Sequence, residues 1–192
     1  MRKVMLTFGI PWLICIAAGF SYLFHYANTP GKGSTMKGHS WPLQSKIEKP
    51  HVPTLLIFAH PYCPCTTATL GELERLMPEI KEKVKVVVLF VQPEKRPLTW
   101  VQGSNWEMAK KIPGVMAMSD FNYHETDIFG AKTSGQVMFF DAEGEKVYSG
   151  GITPSRGHMG DSIGRDMILS WVEGKSVKRE IASVFGCSLR EE

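Results

Sequence analysis

The sequence predicts an α/β domain, a central mixed sheet flanked by helices, carried behind an N-terminal transmembrane helix. Three observations lead there. An uncharged apolar run from Val4 to Phe24 is long enough to cross a hydrocarbon core as a helix. A short aliphatic run, TLLIFA (54–59), is followed by a helical pattern and then by a β-branched run, KVVVLFV (85–91), the order of a right-handed parallel crossover. Further on, QVMFF (136–140) and KVYS (146–149) bracket Asp141-Ala142-Glu143-Gly144, which has the turn chemistry of an antiparallel hairpin.

The chain has 192 residues and its first fifty look non-globular, which leaves one ordinary domain with a hydrophobic core of its own. The division expected is an anchor over 1–27, a linker over 28–51 and a single domain over 52–192. A formal net charge of +3 comes from basic and acidic residues mixed along the chain. There is no dense basic tract and no interleaved aromatic platform, so nucleic acid is not an expected partner.

Taken in order, Arg2 and Lys3 precede the apolar run and place the N-terminus in the cytoplasm, with the rest of the chain exported. A retained anchor is preferred to a cleaved signal peptide, because the run is long and the following SYLFHYANTP has no small-x-small site. Cys15, inside the run, reads as a small apolar membrane residue. Residues 28–53 carry Gly, Pro, Ser and Lys without periodicity and read as a spacer holding the domain off the bilayer, with His39 and His51 solvated. The strand Thr54–Ala59 stops at His60-Pro61, where proline cannot continue a ladder. A helix is expected over Thr66–Met77, with Leu70, Leu73, Leu76 and Met77 on one face, Thr66 or Thr67 as its cap and Pro78 as its end. Next come a strand over Lys85–Val91, a short helix over Trp106–Ile112, a short strand over Val115–Met118 and a helical turn over Asn122–Phe129. The hairpin follows. A helix over Asp161–Glu173 buries Ile163, Met167, Ile168 and Trp171 and ends at Gly174, and residues 176–185 are expected to form a further helix folding back.

Between the first strand and the first helix stand Cys63, Pro64 and Cys65. Unpaired amides and the positive end of the dipole at a helix N-terminus favour a thiolate, the form that attacks disulfides, reduces peroxides or binds soft metals. Two cysteines one residue apart can close a small, strained and therefore labile disulfide, provided Cys63 lies outside helical geometry. Of the four cysteines only Cys63, Cys65 and Cys187 belong to the globular part. An odd number argues for a thiol with a chemical task rather than a purely structural framework. The strand directions predict that two loops, Gly130–Gly135 and Gly150–Gly160, flank the cysteine turn.

The order strand, Cys-Pro turn, helix resembles the redox corner of the thioredoxin superfamily, with Cys-Pro-Cys in place of the usual Cys-x-x-Cys. More narrowly, HPYCPCT (60–66), TSGQVMFFDAEG (133–144), GGITPSRGHMGDSIGR (150–165) and VFGC (184–187) resemble membrane-anchored bacterial thioredoxin-like (RedB-like) proteins. The likeness covers the chain after about residue 50 and implies a thioredoxin-like fold, redox chemistry and a place in the bacterial inner membrane with the domain in the periplasm. Where such proteins usually have Thr-Pro, with the proline cis against the cysteines, this chain has Thr133-Ser134, a departure that favours a small or specialised substrate; otherwise these are plain turn residues.

The expected activity is thiol–disulfide exchange with a thiol- or disulfide-bearing protein or small molecule and no cofactor. Cys63, taken as the more exposed cysteine, forms the mixed disulfide and Cys65 resolves it. Cys187 either resolves a mixed disulfide, supplies a third soft ligand or is simply packed at the C-terminus. Arg156 and His158, in the Gly-rich loop, would favour thiolate or move protons, unless Asp161 there merely caps a helix and Arg156 is solvated. The alternative is a copper or other soft-metal carrier that uses Cys63 and Cys65 with His60, His158 or Cys187. Thiol peroxidase is the third reading.

Overall fold

The computed structural model describes residues 2–175 and 180–190, the side chains of 2–7 and 180 excepted. Helix α1 runs over Arg2–Asn28 with Pro11 inside it. Its stretch Phe8–Asn28 has mean hydropathy 1.5, and no residue of its most apolar window is buried by the rest of the chain, so most of its apolar surface is left for another environment. At about 1.5 Å per residue that stretch matches the ~30 Å of a hydrocarbon core.

The domain then builds β1 (Thr54–Ala59), α2 (Pro64–Ile80), β2 (Lys85–Gln92), α3 (Leu98–Val101), α4 (Ser104–Lys111) and β3 (Val115–Phe121). After these come α5 (His124–Ile128), β4 (Gln136–Phe140), β5 (Lys146–Gly150), α6 (Ile163–Val172) and the two-residue β6 (Glu180–Ile181). The sheet order is β3-β2-β1-β4-β5-β6. β1, β2 and β3 are parallel, β4 is antiparallel to β1, and β5 returns antiparallel to β4. Strand, helix, strand and then hairpin and helix, closing on β2-β1-β4-β5, is a thioredoxin-like fold.

Register decides which residues face which layer, because side chains alternate along a strand. Leu55, Ile57, Val86, Val88, Phe90, Val137 and Phe139 face α2, α4 and α6, and the apolar stripe of α2 (Leu70, Leu73, Leu76, Met77) packs onto them. Leu56, Phe58, Val87, Leu89, Met138 and Phe140 face the other way, against Trp41, Ile47, Tyr123, Phe129 and Leu189. The second layer is therefore made partly by residues 29–53. The spacer expected there is instead a strap fastened to the domain. Gly31 N donates to Val184 O, Thr35 N to Gly130 O and Trp41 N to Gly144 O, while Ser45 Oγ and Lys46 N donate to the buried Glu125 carboxylate. The Trp41 ring stands edge-on to Phe129 and Phe140 at 5.1 and 4.9 Å. A single tryptophan and a single isoleucine in polar surroundings have no period to reveal them, yet both are buried against this sheet face.

Several elements differ from expectation at their ends, and β3 runs on to Phe121. Helix α2 starts at Pro64 with Cys63 as its N-cap and no side-chain cap, and it continues through Pro78 to Ile80. Proline is tolerated at the first helical position, and burial of Leu76, Met77 and Ile80 holds the last turn despite the amide that Pro78 lacks. Ser162, not Asp161, caps α6 by accepting from Arg165 N, and Ile163 is left exposed. The helix expected over 176–185 does not form over 180–185, and 176–179 lie outside the described residues. Glu180 and Ile181 pair with Tyr148 and Ser149, and Val184 O takes the Gly31 amide, so the backbone here is spent on neighbours across the chain.

Candidate active site

Cys63 sits where β1 has ended and α2 begins, with φ −82° and ψ 125°, outside helical geometry. Pro64 and Cys65 are already helical, so the two thiols belong to different backbone regimes. The turn is clamped from α4. Buried Asn105 donates from Nδ2 to Pro61 O at 2.9 Å and to Cys63 O at 3.2 Å, and its Oδ1 accepts from Thr67 Oγ1 at 2.8 Å. Nothing local in the sequence points to Asn105; only the packing of α4 against α2 brings it there.

On the other side lies the 130–135 loop, as expected from the strand directions. Ser134, fully buried, accepts from His60 N at 2.9 Å and lies 2.7 Å from Thr66 Oγ1. Thr66 Oγ1 already donates to His60 O, so the Ser134 hydroxyl donates to Thr66 and the three groups close a relay. The serine at the proline position thus ties β1 and α2 together, with every described peptide bond trans. Thr133 is covered by the strap, its Oγ1 donating to Lys32 O at 2.7 Å.

The 150–160 loop also reaches the site. Gly160 N donates to the buried Glu72 carboxylate of α2 at 2.7 Å, and the Gly157 amide lies against Cys65. Arg156 turns away from the cysteine pair. It donates from Nε to Thr29 O and from Nη1 to Gly186 O, it lies over the Tyr26 ring, and its own amide donates to Ala27 O. The arginine therefore joins the end of α1 to the C-terminal tail. The His158 ring meets the Arg156 carbonyl of its own loop at 2.6 Å. The His60 ring packs with Tyr62 and Trp100, and its Nδ1 accepts from Tyr62 N.

The tail brings in the third thiol. Cys187 Sγ lies 2.9 Å from Cys63 Sγ. Cys63 is not the more exposed cysteine: it is 2% exposed and Cys65 6%, while Cys187 is exposed. The tail, laid over Cys63, is the reason. Cys63 takes a hydrogen bond from Cys65 and another from Cys187, and these outweigh burial and hold its pKa down to about 4. The Cys65 thiol is pushed far up, first because it is the donor to Cys63 and then by burial. Cys187 rises to about 11, through the loss of water around a sulfur turned into the cluster and through its bond to Cys63. One thiolate with two thiol donors is a nucleophile with two candidate resolving groups in place.

The His60 ring is engaged with Tyr62 and Trp100, and among the described residues no group of three or more His, Cys, Asp or Glu side chains is arranged to hold a metal ion.

No family model matches the chain, and no curated protein matches it. Solved structures do. An uncharacterized conserved protein from Geobacillus kaustophilus is 19% identical with a TM-score of 0.59, over 86% of this chain and 93% of that one. A hypothetical protein from Sinorhizobium meliloti is 17% identical with a TM-score of 0.60, over 85% and 96%. The pneumococcal exposed lipoprotein thioredoxin from Streptococcus pneumoniae is 17% identical with a TM-score of 0.48, over 66% and 87%. With the strand order described above, the chain carries a thioredoxin-like fold behind an apolar N-terminal helix long enough to anchor it in a membrane.

Proposed function

We propose that this protein is a thiol–disulfide oxidoreductase of the bacterial inner membrane, held by α1 with its domain in the periplasm. The observation that carries the reading is Cys63, an N-cap thiol kept as thiolate by the thiols beside it at the mouth of a 17-residue helix. Its thiolate attacks one sulfur of a partner disulfide and expels the other as a thiolate. Cys65 then loses its proton and attacks Cys63 Sγ, which releases the second partner thiolate and leaves an oxidised Cys63–Cys65 pair. Two electrons pass to the partner, and the reverse sequence oxidises a partner dithiol. Ser134 positions the turn through His60 and Thr66, and Arg156 acts at a distance, through Gly186.

Arg2 and Lys3 ahead of the apolar run support the outward orientation. Because the Arg156 contacts tie the catalytic edge to the end of α1, partner thiols presented near the bilayer surface are within reach. The test is insulin reduction by dithiothreitol with the full chain in detergent micelles, comparing wild type with Cys63→Ser. Catalysis that disappears in the variant supports the reading. Equal rates in both proteins sink it.

A further inference from the structure

Cys187 is not part of the motif, yet the way its segment is held is specific. Ser134 N donates to Cys187 O at 2.8 Å, Leu189 N donates to Lys132 O at 3.0 Å, and Thr133 pairs antiparallel with Ser188. The tail is a short extended ribbon laid backbone to backbone on the loop beside Cys63. Both of its ends are pinned, since Val184 and Leu189 are buried. Gly186 lets the ribbon come this close: a Cβ there would lie 1.9 Å from Ser134 O. Arg156 holds the Gly186 carbonyl from outside.

An extended peptide that adds itself to an exposed backbone edge gains affinity from main-chain bonds and presents its side chains at set positions. A cysteine-bearing peptide must come to Cys63 in some such way for sulfur to meet sulfur. The tail already does so.

We propose that Cys187 is a second resolving thiol and that residues 186–189 act as a built-in substrate strand, so that a Cys63–Cys187 disulfide is a working state of the protein. This rests on the oxidoreductase reading above and extends it. With Cys63 joined to one half of a partner disulfide, the Cys187 thiol gives up its proton to solvent and attacks Cys63 Sγ. The bond between Cys63 and the partner breaks, the partner leaves as a thiolate, and Cys63 and Cys187 are left oxidised by two electrons drawn from them by the partner disulfide. Because Cys63 is buried beneath the tail, the ribbon lifts to admit the partner and returns to release it. A Cys63–Cys65 bond bends a three-residue turn that contains proline, whereas the Cys63–Cys187 bond joins segments 124 residues apart.

The experiment uses the reduced full chain in detergent, oxidised with glutathione disulfide, quenched in acid, alkylated, digested and read by mass spectrometry. The expected product joins the peptide carrying Cys63 and Cys65 to the peptide carrying Cys187. The same linkage in Cys65→Ser assigns it to Cys63. In Cys187→Ser, glutathione stays on Cys63 about tenfold longer or more. Wild type in which Cys63 is linked to Cys65 alone, with Cys187→Ser clearing glutathione at the wild-type rate, overturns the proposal and leaves the oxidoreductase reading standing. If glutathione never reaches Cys63 in any of these proteins, the underlying reading fails and the proposal with it. The wild-type map decides the matter even if a variant folds poorly.

Discussion

Cys65 and Cys187 both stand against Cys63, one of them two residues along the chain and the other 124 residues away. Cys65 is placed by local structure: β1 must end at His60-Pro61, Pro64 suits the first helical position, and the helix carries Cys65 into its first turn. Cys187 is placed by nothing near it in sequence. It depends on Gly186 fitting under Ser134, on Leu189 filling the face shared with Trp41, and on the pairing of Thr133 with Ser188. Chemistry written in a motif tolerates much change elsewhere in the chain, while chemistry assembled by tertiary contact fails when any of several remote contacts fails.

The comparison can be broken most severely at the residue both thiols share. Cys63→Ser should lower turnover at least about a hundredfold, because neither neighbour can replace a thiolate at the helix mouth; insulin reduction rates check this. The strap is the next lever. Trp41→Ala removes a buried ring from between Phe129 and Phe140 and should cost about 3–5 kcal/mol of stability, read as an earlier denaturation midpoint in detergent. Alkylation of Cys63 in freshly reduced Trp41→Ala should still outpace that of Cys187, since the motif does not depend on that layer. Gly186→Ala should act on the tail alone: displaced from Ser134 O, Cys187 leaves Cys63, and the lifetime of the Cys63–glutathione mixed disulfide approaches that of Cys187→Ser.

Titration separates the two neighbours more finely. A pKa lowered to about 4 means that Cys63 is thiolate at neutral pH, so its alkylation by iodoacetamide should be flat near neutrality and fall only as the pH drops through about 4. Cys187, raised to about 11, should behave oppositely and gain rate steadily as the pH rises above neutral. Cys65→Ala removes the leading donor to Cys63 and should move its profile upward. The smallest effect is expected at Ser134→Ala, which leaves the His60 amide without its acceptor and should cost about 1–3 kcal/mol, measured by denaturation.

Much of the frame is legible in the chain itself. The apolar run before residue 28, the aliphatic strand ahead of the cysteines, the β-branched second strand and the hairpin turn at 141–144 all follow from period, branching and turn chemistry, and the structure forms each of them. Their alternation also predicted that two loops flank the cysteine turn. The strap is hidden in the sequence because Trp41 and Ile47 stand singly among polar residues. The extended course of residues 180–184 is equally hidden, because their backbone partners, Tyr148, Ser149 and Gly31, lie far off in sequence. Asn105 is hidden likewise, since the carbonyls it holds, Pro61 O and Cys63 O, lie 44 and 42 residues away.

What the amino-acid sequence determined unaided is the order of elements and the presence of a thiol pair at a helix start, since both arise from interactions within a few residues. Only the tertiary structure decided that a third thiol meets the first, that a serine relay braces the turn and that a strap packs on one face of the sheet. Those arrangements depend on hydrogen bonds and burial between segments whose meeting no local pattern encodes.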